Sequence, residues 1–343
     1  MQVAGREQKG RGCLYFNFGT ERVLQLLVSI HTLRKHYKGP ITVFLQPDKF
    51  SDRLSRDLEG LDVSIEYHER MSRSFDRHKV FLNSPYATTL SLDSDIVFFG
   101  PIDELWEPLE KEGVLVTRFY HPPFGIDGTP EAPTSDSRVA LLDMMRPLIG
   151  DAAHDLTLNR FVHDRIDINI GVFGISRPKG DAFLAEFAQN MEDGRDLSVP
   201  LFDEMLVNAL VGKYPHFLAD EKWNCPADEF FRCTNLADAI AIHYFGDGSK
   251  VFDVHSPMGR NIRTWAGKKW YAAYFELART MDVSLWRKLD RNFDRRAEPP
   301  FAHGPGLTLR YWAKDVENAL RRVRDILLRR PRKRGAHEPG DRG

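Results

Sequence analysis

Two carboxylates one residue apart interrupt an apolar run at Leu92-Asp93-Ser94-Asp95-Ile96. Charge in such a setting costs free energy unless a cation or hydrogen bonds offset it. In an extended segment residues i and i+2 point to the same side. Asp93 and Asp95 can therefore share one hard divalent ion, Mg²⁺ or Mn²⁺. Far along the chain, Ala241-Ile242-His243 ends a second apolar segment and runs into Tyr244-Phe245-Gly246-Asp247-Gly248-Ser249-Lys250. Imidazole joined to carboxylates suits Mn²⁺ better than Ca²⁺. Glycines at 246 and 248 let a backbone approach a diphosphate closely, and Lys250 adds positive charge.

An α/β framework must position these groups. Residues 13–18 read as a buried strand, and 21–38 carry apolar residues at helical spacing on one face. Strands follow at 41–46 and 62–67, with a polar, partly helical stretch between them. Strand–helix–strand–helix–strand is the pattern of a parallel sheet with crossover helices. Residues 88–99 read as one strong strand broken by the acidic pair, with a short helix starting over 102–106. Further strands are predicted at 114–119, 168–175 and 239–245, and a helix at 202–210. In open parallel sheets, ligands bind beyond the carboxyl ends of strands, which is where Asp93 and Asp95 fall. The Pro/Gly-rich stretch 121–136 is long enough to suggest a functional loop.

Taken together, 13–250 resembles the GT-A nucleotide-sugar glycosyltransferases, in layout the glycogenin and bacterial lipopolysaccharide galactosyltransferase family. The resemblance is carried by the order of several motifs. The strand CLYFNF with the helix LLVSIHTLRKHY is similar to the opening unit that holds the donor nucleotide, with Phe16 on its strand. Arg77-His78-Lys79 and Asn83-Ser84-Pro85-Tyr86, leading into TLSLDSD, are similar to the basic segment before the family's DxD. The resemblance implies that Lys79 and Arg77 contact donor phosphate or sugar. It implies Asp93, Asp95 and His243 as metal ligands, with Gly246 and Lys250 at the diphosphate. Ile168-Asn169-Ile170-Gly171-Val172-Phe173 resembles a segment whose Asn lies near the transferred sugar. Asp203-Glu204 resembles the acidic motif that opens a helix beside the reacting carbon, and Trp223-Asn224 a pair before the last metal-bearing strand.

The implied fold is a Rossmann-like GT-A domain, a mixed and mainly parallel sheet flanked by helices, with a C-terminal helical extension. The implied activity is metal-dependent transfer of a sugar from a nucleoside diphosphate sugar, with UDP-sugar as the expected donor, to a hydroxyl acceptor. A surface polysaccharide, glycolipid or lipid-linked glycan fits as acceptor. The expected cofactor is Mn²⁺ or Mg²⁺, which neutralises the leaving diphosphate without a proton donor. Asp203 and Glu204 are candidates to stabilise the oxocarbenium-like carbon or to deprotonate the acceptor, with Asn169 beside them. Two other readings stay open. Asp93-Ser94-Asp95-Ile96-Val97 also fits the nucleophile motif of haloacid-dehalogenase-type phosphohydrolases, and a non-catalytic nucleotide-sugar-binding module would use the same site.

Composition sets the outer bounds. The chain has 343 residues, 48 Lys+Arg against 49 Asp+Glu and a net charge of −1, which disfavours a nucleic-acid binder. Three cysteines without a CxxC pair exclude a disulfide framework and a Cys-rich zinc site, and suit a reducing compartment. Residues 1–11 read as a disordered N-terminus, 12–275 as the GT-A domain and 276–343 as a helical extension. No apolar leader or spanning segment is read, so a cytoplasmic place is expected. Within the extension, 310–334 holds ten Lys/Arg and three Asp/Glu with apolar residues at 3–4-residue spacing. Such a basic amphipathic helix either docks on an anionic membrane surface from the inner face or packs on the domain.

Overall fold

The computed structural model describes residues 10–17, 22–48, 50–68, 76–119, 138–164, 166–197, 199, 201–227, 234–244 and 265–289. All of them fall in one compact unit, Met1–Asp294. Gly246, Lys250, the loop 121–136 and the basic segment 310–334 lie outside the described residues.

The first half alternates as its pattern predicts. β1 (Arg11–Asn17), α1 (Val23–His36), β2 (Ile41–Leu45), α2 (Ser51–Glu59) and β3 (Ser64–Tyr67) form parallel units, with Cys13 opposite Ile41 and Thr42 opposite Ser64. α3 (Arg77–Leu82) then leads to β4 (Thr88–Leu92), which pairs parallel with the other side of β1. The chain thus winds outward through β2 and β3, then returns across β1. That reversal between β1 and β4 opens a crevice at their carboxyl ends, where α/β sheets bind ligands.

The predicted single strand over 88–99 is corrected by the structure. It divides into β4 and β5 (Ile96–Phe98), which belong to different sheets. Asp93–Asp95 forms the corner, because carboxylates cannot continue into the apolar layer that Leu92 and Ile96 occupy. A 3₁₀ turn at Asp103–Leu105 leads into α4 (Trp106–Glu112), which Gly113 ends in a left-handed conformation, φ 89°.

The second half completes the sheet with β6 (Val114–Phe119), the helices α5 (Arg138–Ile149) and α6 (Asp151–Asn159), and β7 (Asp167–Ser176). Next come α7 (Asp181–Asp193), α8 (Phe202–Val211) and β8 (Phe217–Ala219). The seven-stranded order is β3-β2-β1-β4-β7-β6-β8, with β7 antiparallel to both neighbours. β9 (Cys225–Pro226) and β10 (Ala241–His243) join β5 in a three-stranded sheet. α9 (Trp265–Thr280) and α10 (Ser284–Leu289) end the described chain, and α9 runs across residue 275. The Trp286 indole donates to Asp57 at 2.6 Å, fastening α10 to α2. One core cluster lies where Leu142, Met145, Phe173, Phe183, Phe187 and Leu206 meet between β7 and helices α5, α7 and α8.

Candidate metal and donor site

Phe16 and Asn17, at the end of β1, and Ser91 through Asp95, at the end of β4, line one cleft with Arg22, Arg77 and Val80. Its volume is about 230 Å³. It lies at the winding reversal. Phe16 packs on Leu14, Phe44 and Val80, so one face of its ring belongs to the core.

His243 reaches this corner through strand pairing. β10 runs antiparallel to β5 with His243 opposite Ile96, and the Tyr244 amide donates to the Asp95 carbonyl at 2.9 Å. The His243 imidazole Nε2 is 3.1 Å from Asp95 Oδ1 and 3.8 Å from Asp93 Oδ2. Ligand atoms of Asp93, Asp95 and His243 all lie within 4.8 Å of one another. Burial depresses the imidazole's pKa, but the carboxylates of Asp95 and then Asp93 outweigh it, and the net shift is upward.

A bulged strand shapes the wall behind the cluster. Between Leu115 and Thr117 the register of β6 on β7 shifts, so residues 170–173 of β7 bulge away from β6, while Val172 and Phe173 still pair with Leu92 and Ser91 of β4. The Gly171 carbonyl then accepts the Asp93 amide at 2.8 Å, and the Ile170 carbonyl accepts Arg77 Nη1 at 3.2 Å. A Cβ on Gly171 would lie 2.5 Å from His243 Cε1, so only glycine leaves room for the imidazole.

Carboxylates and guanidiniums alternate through the site. Arg77 donates to Asp93 Oδ1 at 3.0 Å and to Asp203 Oδ2 at 2.9 Å. Burial opposes the Arg77 charge, but Asp93 and Asp203 raise its pKa well above normal, so it stays cationic. Burial also raises the Asp203 carboxyl, with Arg77 opposing. Arg138 Nε lies 2.9 Å from Asp167 Oδ2, and Arg138 also donates to Glu204 Oε1. Asn169 Nδ2 donates to Glu204 Oε2 at 2.8 Å. Arg22 Nη1 is 3.6 Å from Asp95 Oδ2. Among the described residues, the ion-paired set of the site joins five carboxylates (Asp93, Asp95, Asp167, Asp203, Glu204) to three guanidiniums and one imidazole. The excess negative charge and the O,O,N donor set fit a divalent cation at Asp93, Asp95 and His243.

The residues singled out from sequence separate into groups. Asp93, Asp95, His243, Arg77, Asp203, Glu204 and Asn169 converge on one place, and Phe16 lines the cleft beside them. Lys79 does not join them. Its amine bonds the Asp76 carboxylate and lies 3.7 Å from Glu192, toward α7. Trp223 is buried, and the neighbouring Asn224 Nδ2 donates to Thr117 Oγ1 and Asn169 Oδ1, both at 2.8 Å. Arg22, Arg138 and Asp167 were not read from the sequence. The signal that bears on Arg138 is the acidic pair in the apolar helix FDEMLVNALV, whose buried carboxylates demand a cation from elsewhere in the chain.

No protein-family model matches the sequence, and no curated protein matches it. The fold, however, is shared with solved glycosyltransferases. GlyE of Streptococcus pneumoniae TIGR4 superposes with a TM-score of 0.51 at 13% identity, over 81% of this chain and 63% of GlyE. The galactosyltransferase LgtC, solved with donor and acceptor sugar analogs, gives 0.50 at 12% identity, over 81% of this chain and 99% of LgtC. The bifunctional glycosyltransferase WbbM gives 0.52 at 14% identity, over 82% of this chain and 51% of WbbM. The chain therefore spans less than two thirds of GlyE and about half of WbbM, and nearly all of LgtC. The expected fold class holds: a mixed, mainly parallel GT-A sheet flanked by helices.

Proposed function

We propose that this chain is a metal-dependent glycosyltransferase that moves a sugar from a nucleoside diphosphate sugar to a hydroxyl acceptor. The observation that carries the reading is the Asp93, Asp95 and His243 cluster, within 4.8 Å at the sheet's winding reversal. Likeness of fold to three glycosyltransferases supports it. The phosphohydrolase reading places its acidic motif on the first core strand, whereas β4 is fourth in the chain.

In the reaction, the bond from sugar C1 to the diphosphate oxygen breaks, and its electron pair leaves with the diphosphate. The acceptor oxygen bonds C1, and its proton passes to a base. A divalent ion, Mn²⁺ or Mg²⁺, supplies positive charge to the leaving diphosphate when bound. Asp93, Asp95 and His243 would hold it. Arg77 and Arg22 add fixed positive charge along the cleft, where the leaving group becomes more negative. In this reading Asp203, Glu204 and Asn169, tied to the cluster through Arg77 and Gly171, are the groups nearest the transferred sugar. Gly246 and Lys250 complete the diphosphate contacts in this reading, and UDP-sugar is its expected donor.

The test is release of nucleoside diphosphate from a panel of nucleotide sugars with Mn²⁺ or with EDTA. Many transferases hydrolyse their donor slowly without acceptor, so the acceptor need not be known. Metal-dependent release from one donor is expected. Release that EDTA leaves unchanged, or none from any donor, contradicts the reading.

A further inference from the structure

Arg138 stands apart from the other guanidiniums. Arg22 and Arg77 line the cleft, whereas Arg138, on α5, is not among the residues that line it; like Arg77 it is part-buried and pairs with two carboxylates. One is Asp167 on β7, 2.9 Å from Nε, and the other is Glu204 on α8. Both oxygens of Glu204 are therefore engaged, Oε1 by Arg138 and Oε2 by Asn169. Asn169 is itself pinned, because its Oδ1 accepts from the Gly171 amide at 2.9 Å and from Asn224 at 2.8 Å. Gly171 in turn accepts the Asp93 amide and lies against the His243 ring. A continuous set of bonds thus runs from Arg138 through Glu204, Asn169 and Gly171 to the metal cluster.

Docking alone does not call for this arrangement. α5 and α8 already meet through Leu142, Met145 and Leu206 in one apolar cluster. A buried ion pair adds little stability over well-packed apolar residues, since desolvation consumes most of its attraction. What the pair adds is direction. A guanidinium fork can hold two carboxylates at once in a fixed geometry, which an ammonium cannot.

We propose that Arg138 is a positioning residue, which with Asn169 fixes the Glu204 carboxylate at one place beside the metal cluster for the sugar-transfer step. The proposal rests on the glycosyltransferase reading above. Fixed charge acts on a transition state only where it is pre-organised, so a loosened Glu204 lowers turnover more than donor binding.

The experiment measures kcat and donor KM for nucleoside diphosphate release, with melting curves, in wild type, Arg138→Gln and Arg138→Lys. Arg138→Gln is expected to lower kcat about 100-fold with donor KM within about threefold of wild type. Arg138→Lys keeps the charge but loses the fork, and its kcat should be about tenfold below wild type. If Arg138→Gln does not fold, Arg138→Lys decides: reduced kcat at unchanged KM supports the proposal, and wild-type kcat overturns it. A folded Arg138→Gln with wild-type kcat, or with only KM changed, overturns the inference and leaves the glycosyltransferase reading standing. A wild type that releases nothing from any donor overturns both.

Discussion

Gly171 has no side chain because the His243 imidazole fills the space where one would be. The expected consequence of Gly171→Ala follows directly. A methyl group 2.5 Å from Cε1 must push the ring away from Asp95, and the bulged strand cannot yield without breaking the Asp93 amide bond. Mn²⁺ affinity should fall about 10–100-fold, as when supports of metal ligands are removed. Stability should fall by about 1–3 kcal/mol, the usual cost of overpacking. A Mn²⁺ titration beside a urea melt reads both. At this scale the sequence exposed groups whose chemistry is conspicuous, such as the two acids in an apolar run. It did not say which basic residue of Arg77 and Lys79 faces the site. Helical residues two apart do not share a face, so α3 turns Arg77 to Asp93 and Asp203 and leaves Lys79 on Asp76. The acidic pair of α8 demands a cation but does not single out Arg138, because Glu204 is 66 residues away, a separation with no periodicity to read.

The elements explain how distant residues meet. The acidic corner between β4 and β5 sends the chain from one sheet to the other, and β10 then pairs with β5 to deliver His243 from 148 residues away. The strands were legible from their apolar runs. Their assignment to two sheets was not, because pairing partners are set by tertiary contacts rather than by local pattern. Helix α5, which carries Arg138, packs on α6 across Gly150, and His154 of α6 clips the two together. Its Nε2 is 2.7 Å from Asp143 Oδ1 on α5, and its Nδ1 3.1 Å from Asp155 Oδ1. The hydrogen bond to Asp155 raises the imidazole's pKa, burial opposes it, and Asp143 raises it further while Arg146 lowers it. A folded pKa above the unfolded value of about 6.5 means the clip contributes fully below that pH and is lost as pH rises through the raised value. Wild type should therefore melt above His154→Asn at pH 5.5, and the gap should close by pH 9. A gap that is constant with pH contradicts the clip.

For the molecule as a whole, the parallel sheet and its crossover helices were readable from strand–helix alternation, and the fold of the three glycosyltransferases agrees with that reading. The segment 265–289 was less legible. α9, with Trp270, Tyr271, Tyr274 and Leu277 buried, runs through residue 275, and no change in composition marks where it starts or stops. Net charge was equally uninformative about the site. Among the described residues, a chain at −1 overall gathers five carboxylates against three guanidiniums and one imidazole at one end of its sheet. That local imbalance is the physical reason to expect a divalent cation. The most direct test is to titrate the protein with Mn²⁺ and follow the free ion by electron paramagnetic resonance, in wild type and Asp95→Ala. One Mn²⁺ per wild-type chain is expected, with an affinity weakened about 100-fold or more in a folded Asp95→Ala. Wild type that binds no Mn²⁺, or an Asp95→Ala that binds it equally well, would contradict a metal site at Asp93, Asp95 and His243.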